Sequence, residues 1–344
     1  MCDNVTDATP MDVVLTRYLP VVETEVARAL EGRNDSLLFQ IIRYHLGLHQ
    51  AGAPLRGKRI RPVLCLLACE AVGGSPELAA PAAAAIELVH AFTLIHDDVA
   101  DQDELRRGRP TVWRRWGVGQ AVTAGDALYS LAGLCLGHLD ANRLRHDVIC
   151  ATHHELHEAV LALCEGQQLD ISFEGRADVA VEDYLQMIGL KTGALLAAAA
   201  GIGALTGGAD VETSNRLRRF GRQLGVCFQV CDDLLGIWGD PAQTGKPVGG
   251  DLLRRKRSLP VIHALSHAGG SHELLRRLTG GISTAEEAGA VAEEMEAVGS
   301  RVYCEQAAAE ALDRALVALE PLALREPHST HLRGLATLLA DRTR

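Results

Sequence analysis

The chain has 344 residues, 47% of them hydrophobic but only 4% aromatic, and a formal net charge of −10 at pH 7. That length and apolar content support one large core or two small ones, while the acidic balance excludes a nucleic-acid binder held by bulk electrostatics. Abundant Ala, Leu and Gly favour closely packed helices over a sheet, so the expected class is all-α.

Residues 1–10 are polar and acidic, with neither the basic start nor the apolar stretch of a secretory signal. They are expected to be a disordered tail ahead of a single domain over 11–344. No uncharged apolar run of membrane-spanning length is evident, so a cytoplasmic protein without a membrane span is expected. Nine cysteines lie scattered through apolar segments and read as reduced core residues. Cys65/Cys69 and Cys227/Cys231 have an i, i+4 spacing that could hold a metal on a helix, but their apolar neighbours argue for core packing.

Helical periodicity begins near Asp12 and runs through Tyr18, Val22, Val26 and Leu30 to Gly32. A second helix, Leu37 to Leu48, precedes the turn at Gly52-Ala53-Pro54. Next, Gly57-Lys58-Arg59-Ile60-Arg61-Pro62 opens an apolar helix that stops at Gly73-Gly74. Cations at a helix start oppose the helix dipole unless an anion lies there too, and a diphosphate would satisfy both.

Ser75-Pro76 reads as an N-cap followed by proline at the first helical position, launching a helix that runs into His96-Asp97-Asp98-Val99-Ala100-Asp101. At 3.6 residues per turn Asp97 and Asp101 fall one above the other, with Asp98 beside them. Three carboxylates so close repel one another unless a cation sits between them. Hard oxygen ligands at this spacing suit Mg²⁺, which takes one or two carboxylates and leaves its other positions to water and substrate phosphates. Arg106-Arg107 follow after four intervening residues, and Gly108 is the first helix-breaking residue after the apolar run.

The apolar pattern resumes over Val118 to Leu136, then Asp140 to Phe173, the latter carrying His153, His154 and His157. His153 and His157 could share a metal, but no third ligand is evident and an exposed face is the simpler reading. Asp178 to Thr206 reads as a helix interrupted at Lys191-Thr192-Gly193, where a Lys and a Thr in so apolar a run need partners. Glu212 to Trp238 is amphipathic and ends in a second acidic pair, Asp232-Asp233. A Gly- and Pro-rich loop containing Gly245-Lys246-Pro247 leads to Arg254-Arg255-Lys256-Arg257. Four or five shorter helices complete the chain, with turns near Gly269-Gly270, Gly280-Gly281, Gly299 and Pro327.

The motifs are weak singly and specific in combination: GKxxRP at Gly57 to Pro62, His90, HDDxxD at His96 to Asp101, RRG at Arg106 to Gly108, GQ plus Asp at Gly166 to Asp170, KTG at Lys191 to Gly193, Gln229 with Asp232-Asp233, and GKP at Gly245 to Pro247. In this order the chain resembles the trans-isoprenyl diphosphate synthases, the polyprenyl synthetase family, over nearly its whole length. The resemblance implies a bundle of antiparallel helices around a deep apolar cavity, with the two Asp-rich ends facing each other across its mouth, usually as a homodimer.

It also implies the chemistry. An allylic diphosphate binds through Mg²⁺, three ions per site, to Asp97, Asp101 and Asp232, with Asp98 among the catalytic carboxylates. Arg106, Lys191 and Lys246 neutralise the departing diphosphate. Isopentenyl diphosphate is held by Lys58, Arg61, His90 and Arg107, while Thr192, Gln229 and Asp233 support the diphosphate and its metal. The product implied is geranylgeranyl diphosphate, with farnesyl diphosphate as the shorter alternative.

One departure matters. The family's second motif is commonly DDxxD, but here it reads Asp232-Asp233-Leu234-Leu235-Gly236, so the carboxylate one turn beyond Asp232 is missing. Asp240, two turns on and past a glycine, lies too far along the axis to replace it. Product length points to Phe92, five residues before Asp97 and about 7.5 Å further down the helix axis, where its ring could stop a growing tail; Thr93 is too small to stop it earlier. Two other readings compete: a class I terpene cyclase, which usually carries a different late metal motif, and a non-catalytic subunit that modifies a partner synthase, which Gly236 and the Cys65/Cys69 pair favour slightly.

Overall fold

A helix that is apolar on every side has to be buried, and Pro76–Ala100 is such a helix: almost every side chain from Ala79 to Phe92 is out of solvent. In this computed structural model, which describes residues 10–48, 59–239, 249–267 and 271–341, it is the fourth helix of the chain. The expected tail, except Pro10, lies outside the described residues, as do Lys58, Lys246, Asp240 and the turns at 52–54 and 269–270.

The described residues form helices α1 (Pro10–Ala29), α2 (Leu37–Leu46), α3 (Ile60–Ala71), α4 (Pro76–Ala100), α5 (Val112–Trp116), α6 (Val118–Leu136), α7 (His146–Phe173), α8 (Val181–Ile188), α9 (Ala194–Thr206), α10 (Val211–Trp238), α11 (Gly250–Leu253), α12 (Leu259–His267), α13 (His272–Gly280), α14 (Ala285–Ala297), α15 (Ser300–Leu319) and α16 (His328–Ala340). The fold is all-α. Among the described residues the only sheet is a two-residue hairpin, β1 (Leu105–Arg106) paired antiparallel with β2 (Arg109–Pro110).

Two compact units emerge, one of residues 1–157, 199–214 and 323–332, the other of 158–198, 215–322 and 333–344. In the first, α4 packs against α1, α3 and α6. Its run of alanines from Ala79 to Ala85 lets neighbours approach closely, and Leu64, Leu67, Ile86, Leu88 and Leu128 fill the space between. Charges in this core are paired. Glu70 accepts from both Arg17 and Tyr18, and Arg59 donates to Glu87.

The second unit has two apolar clusters. One joins Phe173, Tyr184, Met187, Val230, Leu234, Leu259 and Ile262; the other joins Ile237, Leu252, Val261, Leu274, Val291 and Met295. Its helices start where local chemistry predicts: Thr284 caps α14 in a reciprocal box with Glu287, and the Ser271 side chain accepts from Leu274 N at the start of α13. Ser75, expected to cap α4, is extended as a cap should be, but its hydroxyl accepts from Arg143 instead of the helix backbone.

Two stretches, Pro76–Ala100 and Val181–Thr206, are long and apolar enough to cross a membrane, but the apolar windows are 83% and 78% buried within the protein, as core helices are. Cys65, Cys69, Cys227 and Cys231 are buried, in keeping with their apolar neighbours. Because the Arg59–Glu87 pair is buried, Glu87→Ala should destabilise the protein by about 3–5 kcal/mol, leaving an uncompensated guanidinium in the core. Urea unfolding would measure that loss.

Candidate active site

Helix α4 ends one residue before Asp101, whose backbone N–H still bonds to the Asp97 carbonyl at 2.8 Å. The chain then turns tightly through Gln102, whose φ of +55° is left-handed, and enters the β1–β2 hairpin. This turn brings Arg106 back onto the helix. Its Nε and Nη2 both lie 2.6 Å from Asp98 Oδ1. Asp98 is 1% exposed, and its backbone carbonyl is also taken, by Asp103 N at 3.0 Å.

The electrostatics are consistent with a captive pair. Burial raises the Asp98 pKa, with Arg106 opposing the rise. Burial also works against the charge on Arg106, but Asp98 outweighs it and holds the guanidinium above its ordinary range. Asp98, expected among the catalytic carboxylates, is therefore engaged by the protein, and so is Arg106, expected on a departing diphosphate. Asp97 and Asp101 sit one turn apart on the same helix end, half-buried and exposed respectively. Among the described residues no three acidic, His or Cys side chains form a preformed metal cage. Two oxygen ligands with solvent access fit Mg²⁺, which draws its remaining ligands from water and substrate phosphate.

Asp98 and Arg106 also line a pocket with Tyr44, His45, Arg59, Glu87, Arg107, Arg109 and Thr111, in which four guanidinium groups outnumber two carboxylates. Arg109 stacks on the Tyr44 ring at 3.9 Å, and the Tyr44 hydroxyl donates to the Pro110 carbonyl at 2.8 Å. Four buried polar atoms around it, Arg59 Nε, Asp98 Oδ2, Arg109 Nη2 and Thr111 Oγ1, have no hydrogen-bond partner among the described residues. Arg59 and Arg107 are left-handed, at φ +46° and +53°. Such strain in residues with a side chain concentrates at functional sites. Nearby, Arg61 donates from Nη1 to His90 Nε2 at 3.2 Å. Burial, then the neighbouring guanidinium groups, push His90 well down, so its ring accepts as the neutral form.

Phe92 is buried, with its ring centroid 5.4 Å from His96 and 5.5 Å from Tyr129. Tyr129 in turn bonds to His157 Nδ1 at 2.8 Å, which engages one of the two histidines considered for a metal. Thr93 turns back on its own helix, donating to the His90 carbonyl at 2.9 Å.

In the second unit the interruption expected at Lys191-Thr192-Gly193 is a π-helical turn, Gly189–Gly193, between α8 and α9. Such turns insert one residue and re-aim side chains, often at functional sites. Close packing supports it from two sides. A Cβ on Gly166 of α7 would lie 2.3 Å from Lys191 N, and one on Gly225 of α10 would lie 2.5 Å from Gly193 Cα. Lys191 Nζ reaches Asp170 Oδ2 at 2.5 Å, and Thr192 donates to Gln229 Oε1 at 2.9 Å.

Gln229 continues the chain of contacts, donating from Nε2 to Asp233 Oδ1 at 3.2 Å. Asp233 is 4% exposed and also accepts from the Tyr184 hydroxyl at 2.5 Å and Leu259 N at 3.1 Å. Burial pushes its pKa up to about 7 against those hydrogen bonds. Asp232, one residue earlier, is exposed. The sequence reading missed Tyr184, His45, Arg59 and Arg109 as individual contributors; Arg59 and Arg109 carried a signal, each as part of a basic cluster.

The pocket makes a pH prediction. Burial, then Arg106, push His45 down to about 3. Between about pH 6.5 and 3 the unfolded chain binds a proton there that the folded chain does not, so stability falls as pH falls. His45→Gln should reduce that slope by up to about 1.4 kcal/mol per pH unit, measured by urea unfolding at pH 6.0 and 5.0.

A profile of the polyprenyl synthetase family matches residues 48–298. The chain is 39% identical over 349 aligned positions to a (2E,6E)-farnesyl diphosphate synthase of Mycobacterium tuberculosis, covering 96% of this chain and 95% of that protein. It is 47% identical over 243 positions to a geranylgeranyl diphosphate synthase of the same organism, covering 70% and 68%. Among solved structures, a polyprenyl synthetase from Streptomyces coelicolor matches at 38% identity with a TM-score of 0.88, covering 96% of this chain and 99% of that one. A geranylgeranyl pyrophosphate synthase from Corynebacterium glutamicum, complexed with isoprenyl diphosphate and magnesium, matches at 28% identity and a TM-score of 0.85, covering 95% and 99%.

Proposed function

Since the chain belongs to the polyprenyl synthetase family, we propose that this trans-isoprenyl diphosphate synthase makes geranylgeranyl diphosphate, in a cytoplasmic homodimer with three Mg²⁺ ions per site and one catalytic domain per chain. Its reaction class is prenyl transfer, with a farnesyl or geranylgeranyl product. The allylic C–O bond breaks and the diphosphate leaves with the electron pair. The double bond of isopentenyl diphosphate then supplies the electrons of the new C–C bond, and a proton leaves to the released diphosphate.

The observation that carries the site assignment is the division within the first acidic motif. Arg106 holds Asp98 in the protein, while Asp97 and Asp101 remain one turn apart with access to solvent. When bound, Mg²⁺ neutralises the charge that develops on the departing diphosphate. Asp97 and Asp101 of the first unit would hold Mg²⁺, and Asp232 of the second unit would hold Mg²⁺ as well. Lys191 and Lys246 add positive charge to the leaving group, with Thr192 oriented by Gln229.

Arg61, His90 and Arg107, with Lys58, hold the diphosphate of the second substrate. The neutral state of His90 lets it accept from Arg61 and keeps that guanidinium in place. The buried Phe92, packed against Tyr129, is the floor for the growing chain. The protein's own contribution is positioning, charge placement and exclusion of the water that would quench an allylic cation.

Asp97→Ala should lower kcat/KM by at least about 100-fold, as loss of one charge-stabilising element does, in an assay with Mg²⁺, isopentenyl diphosphate and C5, C10 or C15 primers. Mass spectrometry of the dephosphorylated product should find a C20 alcohol from the native chain. Phe92→Ala should yield longer alcohols; an unchanged length would remove Phe92 as the floor. Elongation only after a second subunit is added would favour the modifying-subunit reading.

A further inference from the structure

The hairpin that carries Arg106 and Arg107 is too small to hold itself. Each strand has two residues, Leu105 paired with Pro110 and Arg106 with Arg109, and even longer two-stranded hairpins are marginal in water. Pro110 has no N–H to give the ladder, and Leu105 is 63% exposed, so it buries little apolar surface. The turn stands on Arg107 and Gly108, both left-handed at φ +53° and +74°, as a tight two-residue loop requires. Glycine tolerates that conformation and arginine is strained in it. The geometry therefore depends on what grips the hairpin from outside.

Side chains hold it at several points. On β1, Asp98 takes the Arg106 guanidinium. At the entry, the Trp113 indole donates from Nε1 to the Asp103 carbonyl at 2.9 Å. On β2, the Tyr44 hydroxyl donates to the Pro110 carbonyl at 2.8 Å, and the Arg109 guanidinium lies 3.9 Å from the Tyr44 ring centroid. Tyr44 comes from the last turn of α2 and is itself braced by α5. The Trp116 ring meets it edge-on at 4.9 Å, and the Arg115 guanidinium lies 4.7 Å from its centroid. Tyrosine thus supplies both a face for cations and a donor for the carbonyl.

The two strand contacts act differently. The Asp98–Arg106 pair fixes β1 against α4 at the acidic motif. Tyr44 fixes β2 and, with it, the direction in which the turn at Arg107 faces. Without that hydroxyl the return strand is free to pivot about Arg106.

We propose that Tyr44 is a positioning residue for isopentenyl diphosphate: its hydroxyl holds β2 so that Arg107 meets the diphosphate of that substrate, while the allylic diphosphate is held independently of it. The inference rests on the reading that Arg107 binds the second substrate.

The test is steady-state kinetics of the full-length protein with each substrate varied in turn, in the native chain, Tyr44→Phe, Tyr44→Leu, Arg107→Gln and the double variant Tyr44→Leu/Arg107→Gln. Tyr44→Phe, which keeps the ring and loses only the hydroxyl, should raise KM for isopentenyl diphosphate about threefold, and Tyr44→Leu about tenfold. In both, kcat and KM for the allylic primer should stay within about twofold of native. Once Arg107 is gone, Tyr44→Leu should add less than about twofold, because the two residues act through one another.

A raised KM in Arg107→Gln with none in Tyr44→Phe would overturn the role of Tyr44 alone. An unchanged KM in Arg107→Gln would overturn the reading of Arg107, and the proposal with it. Equal rises in KM for both substrates, additive effects in the double variant, or a lowered melting temperature with KM unmoved would make Tyr44 merely structural and equally overturn the proposal.

Discussion

A carboxylate that leaves water must find a partner, and that requirement organises both acidic motifs. In the first unit Asp98 is buried at the end of α4 and takes Arg106; in the second Asp233 is buried in α10 and takes Tyr184, Gln229 and Leu259 N. Desolvation of a lone carboxylate costs several kcal/mol, so neither geometry survives loss of its partners. Each motif is thereby divided between one aspartate that anchors and others that face outward. Asp97 and Asp101 are oriented by the capture of Asp98, and Asp232 by the capture of Asp233.

The anchors also shape what surrounds them. Arg106 reaches Asp98 only because the chain turns through left-handed Gln102 into the hairpin, and the same hairpin delivers Arg107 and Arg109 to the cationic pocket. A chain with net charge −10 thus carries a locally positive cavity. Burial beside guanidinium groups keeps His45 and His90 neutral, so the imidazoles add no further positive charge. In the second unit the π-helical turn plays the corresponding part. Gly166 and Gly225 allow α7 and α10 close enough for Lys191 to meet Asp170 and Thr192 to meet Gln229.

Gly236 shows how such a network accommodates a change in sequence. Read as a string of residues, the glycine is a lost ligand. In space the Asp251 carboxylate lies where a Cβ at 236 would fall, next to left-handed Gly249 and buried Leu252.

Much was legible from residue order alone. Apolar periodicity located α1, α4, α6 and α10 to within a few residues, the all-α class followed from composition, and the break at Lys191-Thr192-Gly193 stood out because polar groups interrupted an apolar run. Spacing along one helix placed Asp97 above Asp101, since helical geometry is local. Tertiary structure decided which aspartate is anchored and which is open, because burial depends on neighbours supplied by other elements. It paired Lys191 with Asp170 and Asp233 with Tyr184, and it set Asp251 against Gly236, contacts between residues 15 to 49 positions apart that no local period encodes. The sequence by itself determined the helices and the inventory of charges; only the packing of those helices assigned each charge a partner, because desolvation is a property of the assembled core.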